Sequence, residues 1–346
     1  MKIAHIIFTL NTGGAESMLV DIINEQVKTE SVLLIVVNNT VSNLLLSLID
    51  NRVNIVLIGR KEKSRNPVSF IKLNWQLFLI RPDVIHCHDQ AVINMIILRK
   101  NATLTVHGIN IPTNNFKYYK TIFAISNAVK IDIEKRSNIN AILIHNGVKI
   151  DDIKSKTNYT FGVFRIVQVG RLDHEIKGQH ILIKALKILI YEMNVKNICV
   201  DFIGDGKSKN YLKEIVKVYQ LDKFVNFLGN RERVYIYENL QSYNLLIQPS
   251  LCEGFGLTIA EAMAAKIPVL VSDSDGPFEI VDGGNFGRIF KSGNFEHCAN
   301  EILDIYNTYE QVSKVCNKSY KQVEKLFNLI DTSRLYQKQY KFLSNK

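Results

Sequence analysis

Glu253 and Glu261 bracket a glycine-rich turn, Gly254-Phe255-Gly256-Leu257-Thr258, that runs into the helix-forming stretch Ala260-Glu261-Ala262-Met263-Ala264-Ala265. A helix opening at such a turn presents unpaired backbone N–H groups and a partial positive charge, which together make a seat for phosphate. Glycines at 254 and 256 let the backbone approach a ligand closely. Carboxylates repel phosphate, so the two glutamates must serve another part of the same molecule. Sugar and ribose hydroxyls donate hydrogen bonds to ionised carboxylates and fit that role. The stretch therefore reads as a site for a sugar nucleotide. Acidic residues are favoured at any helix N-terminus, so the reading needs support from elsewhere in the chain.

Gly170-Arg171-Leu172-Asp173-His174-Glu175-Ile176-Lys177-Gly178 supplies a planar guanidinium fork and a mobile ammonium after an apolar run. Two such cations are what a diphosphate needs as negative charge grows on it during bond cleavage. Phe202-Ile203-Gly204-Asp205-Gly206 ends another apolar run in a tight turn. Asp273-Ser274-Asp275 has the D-x-D form of a divalent-metal site, but Gly276-Pro277 follows at once, which favours a turn or capping role. In the first half, Asn11-Thr12-Gly13-Gly14-Ala15-Glu16 follows an apolar run and opens a helix. Its spacing is not the G-x-G-x-x-G of a dinucleotide loop. Thr105-Val106-His107-Gly108 ends a further run, and a neutral imidazole there would orient a hydroxyl. His86 and His88 flank Cys87 and read as positioning residues rather than metal ligands.

These residues need a scaffold that gathers loops. At 346 residues the chain suits two domains, and 47% apolar with 22% charged residues is ordinary for a globular protein. Both halves alternate short apolar runs with longer amphipathic ones. Ile3–Leu10, Ser31–Val37, Val84–His88 and Thr103–His107 in the first half, and Arg165–Val169, Ile198–Ile203 and Leu245–Gln248 in the second, read as strands between helices. That is an α/β pattern of doubly wound parallel sheets, whose ligand loops lie at the carboxyl ends of strands. The motifs fall at those ends. The polar stretch Lys149–Thr160 reads as the linker, which gives domains at 1–155 and 156–330 and a helical tail at 331–346.

Five cysteines without a C-x-x-C pair read as free thiols in a reducing cytoplasm. Met1–Leu10 reads as a buried strand rather than a signal peptide, and no apolar run is long enough to span a bilayer. Of the net charge of +10, residues 1–150 carry 17 Lys+Arg against 10 Asp+Glu. A basic first half suggests an anionic partner such as a membrane surface or a phosphate-bearing acceptor. No nucleic-acid motif is visible. Phe70, Trp75, Leu77 and Phe78 follow the basic run Arg60, Lys61, Lys63 and Arg65. They read as core packing of a sheet-covering helix, with an interfacial membrane helix as the alternative.

Glu253 and Glu261 eight positions apart around G-F-G-L resemble the signature of retaining GT-B glycosyltransferases of the large family-four group. The other segments resemble that family in order from residue 11 to residue 261. The Arg171…Lys177 loop departs by one extra residue before the lysine. The resemblance implies two Rossmann-like domains facing across a cleft, with the tail crossing back to the first. It also implies catalytic roles for His107, Glu253, Arg171 and Lys177, and donor contacts from Gly14, Gly204, Phe255, Gly256, Leu257, Thr258 and Glu261. Gly13 and Gly14 would lie beside the acceptor. The donor would be a nucleotide sugar, with UDP-linked hexose or N-acetylhexosamine expected, and the acceptor a glycan or lipid-linked oligosaccharide of surface-polysaccharide synthesis. No cofactor or metal is expected. A GT-B epimerase or phosphorylase, or a non-catalytic sugar-nucleotide or polyanion binder, remains open.

Overall fold

The computed structural model describes residues 1–344, so the last two residues of the expected 331–346 helix lie outside the described residues. The chain forms two compact units, residues 1–147 with 329–346, and residues 148–328.

The first unit is built on a 7-stranded parallel sheet in the order β3-β2-β1-β4-β5-β6-β7. Its strands are β1 (Lys2–Ile7), β2 (Ser31–Asn38), β3 (Asn54–Arg60), β4 (Val84–Cys87), β5 (Ala102–Val106), β6 (Thr121–Ala124) and β7 (Ile142–Leu143). Helices cover both faces of a doubly wound sheet, so its strands read as continuous apolar runs. Ile3, Ile6, Leu34 and Val36 are buried in that way. The helix Gly14–Gln26 packs Leu19, Val20 and Ile23 onto the sheet.

The second unit repeats the plan with 6 strands in the order β10-β9-β8-β11-β12-β13. They are β8 (Phe164–Val169), β9 (Ile198–Ile203), β10 (Val225–Gly229), β11 (Leu245–Gln248), β12 (Val269–Ser272) and β13 (Arg288–Phe290). The helix Gln179–Tyr191 buries Ile181, Leu182, Ala185, Leu186 and Leu189 against this sheet, a stripe at helical spacing. In each sheet the strand order reverses at one point, between β1 and β4 and between β8 and β11. Loops leaving the carboxyl ends of those two strands diverge and leave a crevice, where doubly wound sheets take their ligands.

Two boundaries differ from the sequence reading. The first crossing lies at 147/148 rather than 155/156, because the polar stretch hides residues committed to the second unit. Ile150, Ile153 and Lys156 are buried there. The Lys154 and Lys156 amides donate to Tyr237 and Ala265, and the Lys156 ammonium donates to Gln241 and Tyr243 carbonyls at 3.0 and 2.9 Å. The return crossing lies at 328/329 rather than 330/331. The last helix starts at Leu329, preceded by two helices the sequence reading had not separated, Tyr309–Ser313 and Cys316–Leu326.

The final helix, Leu329–Ser344, belongs to the first unit. Tyr336 and Tyr340 are fully buried and meet Phe123 edge-on, with centroids 5.1 and 6.5 Å away. The Tyr340 hydroxyl bonds His86 Nδ1, and the Tyr336 hydroxyl bonds Thr105 Oγ1 at 3.1 Å. Tyr340→Ala would open a cavity and strand a buried imidazole nitrogen. The expected cost is ~3–5 kcal/mol, seen calorimetrically as a lowered transition for the first unit with the second unchanged.

Candidate functional site

The second unit assembles its site at the switch point between β8 and β11. After β8 the chain passes through Gly170 and Arg171 into a short helix, His174–Lys177, that ends on Gly178. After β11 it passes through Pro249 to Glu253 and turns at Gly256, the N-cap of the helix Leu257–Ala264. The loops are pressed together backbone to backbone. A Cβ on Gly178 would stand 1.9 Å from the Pro249 carbonyl oxygen, and a third loop joins them, where a Cβ on Gly204 after β9 would stand 2.0 Å from the Gly170 carbonyl oxygen. The Leu251 amide donates to the Ile176 carbonyl at 2.8 Å and ties the two loops directly.

Across this seam the Lys177 ammonium pairs with Glu253 Oε2. The same oxygen accepts from Gln248 Nε2 at 3.2 Å and from the Ser250 hydroxyl at 3.4 Å. Gln248 in turn donates to Ser250 at 2.8 Å and accepts from the Thr258 hydroxyl at 3.4 Å. Lys177 and Glu253 are about one-fifth exposed, at 20% and 15%, so their pairing is screened less than on an open surface. Arg171 is exposed and has no ion-pair partner among the described residues. No side chain caps the helix that begins at Leu257. Glu261, on that helix, is buried and accepts from Arg233 at 3.3 Å and from the Tyr237 hydroxyl at 3.2 Å.

The first unit places a different chemistry at its own switch point. A pocket of about 360 Å³ lies at the carboxyl ends of β1, β4 and β5, lined by Phe8, Glu16, His88, Asp89 and His107 among others. Beneath it three imidazoles form a chain that ends on Gln26, with a fourth, His86, stacked beside them. Gln26 Oε1 lies 2.8 Å from His5 Nε2, His5 Nδ1 lies 3.0 Å from His88 Nε2, and His88 Nδ1 lies 3.1 Å from His107 Nε2. Burial holds His5 down to about 4, against the Gln26 hydrogen bond that raises it, and burial holds His107 down to about 4 as well. Burial, with neighbouring imidazoles, puts His86 and His88 well below the usual histidine range. All four rings are therefore neutral near pH 7, each with one N–H and one lone pair. A carbonyl oxygen only accepts, so His5 donates to Gln26, His88 to His5, and His107 to His88. The chain ends on a lone pair at His107 Nδ1, a buried atom without a hydrogen-bond partner among the described residues.

His5, His86 and His88 are also close enough to suggest a metal cage. Their donor set does not fit one. Both nitrogens of His5 and His88 are used within the chain, and His86 is held by Tyr340 and by Thr105 Oγ1 at 2.7 Å.

The family model described as Glycosyl transferases group 1 matches residues 149–322, half of the chain. The chain belongs to this family. It is 28% identical over 264 residues to the uncharacterized glycosyltransferase MJ1178 of Methanocaldococcus jannaschii, a match covering 71% of each chain. It is 29% identical over 168 residues to the capsular polysaccharide biosynthesis glycosyltransferase CapM of Staphylococcus aureus, covering 48% of this chain and 42% of that one. Among solved structures it resembles Anabaena Alr3699/HepE, determined in complex with UDP and glucose, with TM-score 0.82, 19% identity, and coverage of 98% and 99% of the two chains. The fold of this glycosyltransferase, two Rossmann-like domains of parallel sheet, is GT-B.

The glycosyltransferase places Arg171, Lys177, Gly204, Glu253, Phe255, Gly256, Leu257, Thr258 and Glu261 at one edge of the second sheet. Gly13, Gly14 and His107 lie at the corresponding edge of the first. Some side chains have other partners than the sequence suggested. The Phe255 ring is core, edge-on to Phe327 at 5.3 Å. Cys252 is exposed; its amide and that of Leu251 both bind the Ile176 carbonyl and hold this turn at the surface. Asp273 accepts from the Ser292 amide at 2.7 Å and Asp275 opens the short helix Asp275–Ile280. Sequence reasoning missed Gln248, Ser250 and Arg233, which hold the two glutamates, and it missed His5 and Gln26. A histidine inside an apolar strand was the one signal available for the imidazole chain.

A lowered histidine pKa means that the unfolded chain, at 6.5, binds protons before the folded one does. The stability these histidines contribute is complete above 6.5 and is lost as pH falls toward 4, by ~3 kcal/mol for His5 alone. Calorimetry should show the first unit's transition falling across that window and little dependence above it. Assigned imidazole NMR signals of His5 or His107 titrating near 6.5 in the folded protein would contradict the scheme. Gln26→Leu removes the terminal acceptor and should cost ~1–3 kcal/mol in the same transition.

Proposed function

We propose that this glycosyltransferase is a retaining, metal-independent enzyme. It moves a sugar from a nucleotide donor, UDP-linked hexose or N-acetylhexosamine, to a hydroxyl of a glycan or lipid-linked acceptor of surface-polysaccharide synthesis. The observation that carries this reading is the Lys177–Glu253 pair beside an uncapped helix start. A cation, a carboxylate and free N–H groups converge there, as a diphosphate joined to a polyhydroxyl requires. The capsule-synthesis CapM and the UDP- and glucose-bound Alr3699/HepE support the choice of donor and pathway.

In this reading the second unit holds the donor. Arg171, Lys177 and the first-turn N–H groups near Leu257 and Thr258 neutralise the departing diphosphate, which replaces a metal's role. The Gly204 turn lies under the nucleotide, the Phe255 and Gly256 N–H groups face sugar and phosphate, and Glu261 takes the ribose hydroxyls. Glu253 orients sugar hydroxyls. It is poorly placed to be a nucleophile, because Lys177, Gln248 and Ser250 all donate to one of its oxygens. Resemblance to the family suggests that substitution proceeds on the face the diphosphate leaves, with a leaving phosphate oxygen taking the acceptor proton. Two carboxylates flanking one bond would mark a retaining glycosidase; here Glu261 has its own partners, Arg233 and Tyr237.

The first unit receives the acceptor beside Gly13 and Gly14. His107 contributes a neutral lone pair that accepts a substrate hydroxyl and cannot compete for phosphate. Its excess of basic residues favours contact with an anionic, cytoplasm-facing membrane that would carry a lipid-linked acceptor. No helix among the described residues is long and apolar enough to cross a membrane.

A thermal-shift screen of nucleotide sugars followed by transfer assays tests the reading. One UDP-sugar should raise the melting temperature by mass action and be consumed with retention and in the presence of EDTA. Lys177→Ala and Glu253→Ala should each lower kcat by ~100-fold or more. Lys177→Ala should also weaken UDP binding, and Glu253→Ala should leave UDP binding intact. Unchanged transfer in both variants would overturn the assignment.

A further inference from the structure

The helix Pro67–Ile80 of the first unit is apolar on two faces. Ser69, Leu73 and Leu77, spaced by one turn, are buried against the unit. Val68, Ile71, Trp75, Phe78 and Leu79 recur at the same helical spacing on the other side and are exposed, Trp75 by 57% and Ile71 by 62%. Trp75 and Phe78, expected to be core, are therefore surface residues, stacked on each other with centroids 5.8 Å apart. A second segment extends the patch. Asn74 donates to the Met95 carbonyl and accepts from the Ile97 amide, at 2.8 and 2.9 Å. This clamp sets Ile97 and Leu98, 62% and 65% exposed, beside the helix.

Charge surrounds the patch with one dominant sign. Between residues 60 and 81 the basic residues are Arg60, Lys61, Lys63, Arg65, Lys72 and Arg81, and the acidic one is Glu62. Arg99 and Lys100 follow Leu98 directly. Arg81 lies over the Phe78 ring at 5.5 Å, its stem covering apolar surface and its head free for an anion. The helix itself carries one charged side chain, Lys72. An apolar stripe bearing tryptophan and rimmed by cations matches a bilayer surface with anionic headgroups: rings and aliphatics enter the acyl boundary while lysines and arginines meet phosphates. A second copy of this chain would bring the same cations against each other.

We infer that the face formed by Val68, Ile71, Trp75, Phe78 and Leu79, with Ile97 and Leu98, seats this chain on an anionic lipid surface. This deepens the membrane contact proposed above by naming its surface. The connection to the site is topological. The basic segment from Arg60 to Arg65 leaves the carboxyl end of β3, the same sheet edge that bears Gly13, Gly14 and His107. From there the helix carries the apolar face toward the amino edge, where Lys2 Nζ meets the Ile80 carbonyl and β5 begins shortly after Leu98.

Trp75 is the only tryptophan of the chain, so the face carries its own reporter. The full-length protein is mixed with phosphatidylcholine vesicles with and without phosphatidylglycerol, in the absence of donor and acceptor. Trp75 emission should shift to the blue and be quenched by bromine-labelled acyl chains in the anionic vesicles, with at least ~tenfold weaker partitioning onto neutral ones. Phe78→Asp with Leu79→Asp, both on the solvent side, should abolish the quenching while the melting temperature and transfer to a soluble acceptor are retained. Lys61→Glu with Arg65→Glu should remove the preference for anionic lipid. Emission that stays unchanged with anionic vesicles, binding that survives the aspartate pair, or a lipid-free dimer that buries Trp75 would each overturn the inference. Because no sugar donor is present, failure here is separate from failure of the transfer reading.

Discussion

The seam between the β8 and β11 loops is the constraint on which the second unit's site depends. Strand order reverses there, so the two loops part and leave a crevice. They are then drawn together by a contact that leaves no room for a side chain, Gly178 against the Pro249 carbonyl, while Gly204 after β9 presses on the Gly170 carbonyl in the same way. Backbone at this separation fixes the positions of Lys177 and Glu253 within hydrogen-bond reach, although they are 76 residues apart in sequence. A cation and a carboxylate so placed neutralise each other, which limits the cost of holding either one in a partly buried place. Gln248 and Ser250 complete the arrangement by occupying the same carboxylate oxygen, and the other oxygen stays available to a hydroxyl.

The two sheets solve the same topological problem with opposite electrostatics. The second unit gathers charge: Arg171, Lys177 and an open helix start on one side, Glu253 and Glu261 on the other. The first buries four imidazoles and keeps them neutral. A buried charge would be costly, and the chain of N–H···N bonds from His107 to Gln26 avoids it by passing one donor along at each step. The helix Leu329–Ser344 closes this cluster from the outside of the sheet, so a segment at the end of the chain supports residues of the first strand. Removing the C-terminal helix would expose His86 and loosen the histidine next to it.

Legibility in the sequence followed the range of the interactions. Glu253 to Glu261, Arg171 to Lys177 and Thr105 to Gly108 were visible because each is a local pattern at the end of an apolar run, and the strand runs themselves gave the two doubly wound sheets. The imidazole chain was not, because His5, Gln26, His88 and His107 lie on four different elements and no spacing connects them. Arg233 was hidden for the same reason. The boundary near residue 150 was misplaced because polarity was taken for solvation. Lys156 is polar and yet buried, its ammonium satisfied by two carbonyls. The helix Pro67–Ile80 was misjudged in the opposite sense. A stretch with apolar residues at nearly every position contains a core stripe and a second stripe at once, and only the position of the sheet tells which is which.

That ambiguity has a physical consequence. A sheet-covering helix needs one apolar face for folding, and Leu73 and Leu77 supply it. Tryptophan and phenylalanine on the solvent side add nothing to that packing and raise the risk of aggregation. Their cost to a freely soluble protein is offset only if something covers them. The cations beside them limit what that can be: a basic rim repels a like surface and attracts an anionic one. Exposed rings and a rim of lysine and arginine are then two parts of one arrangement, in which the apolar face brings the first unit to the surface where a lipid-linked substrate would be held.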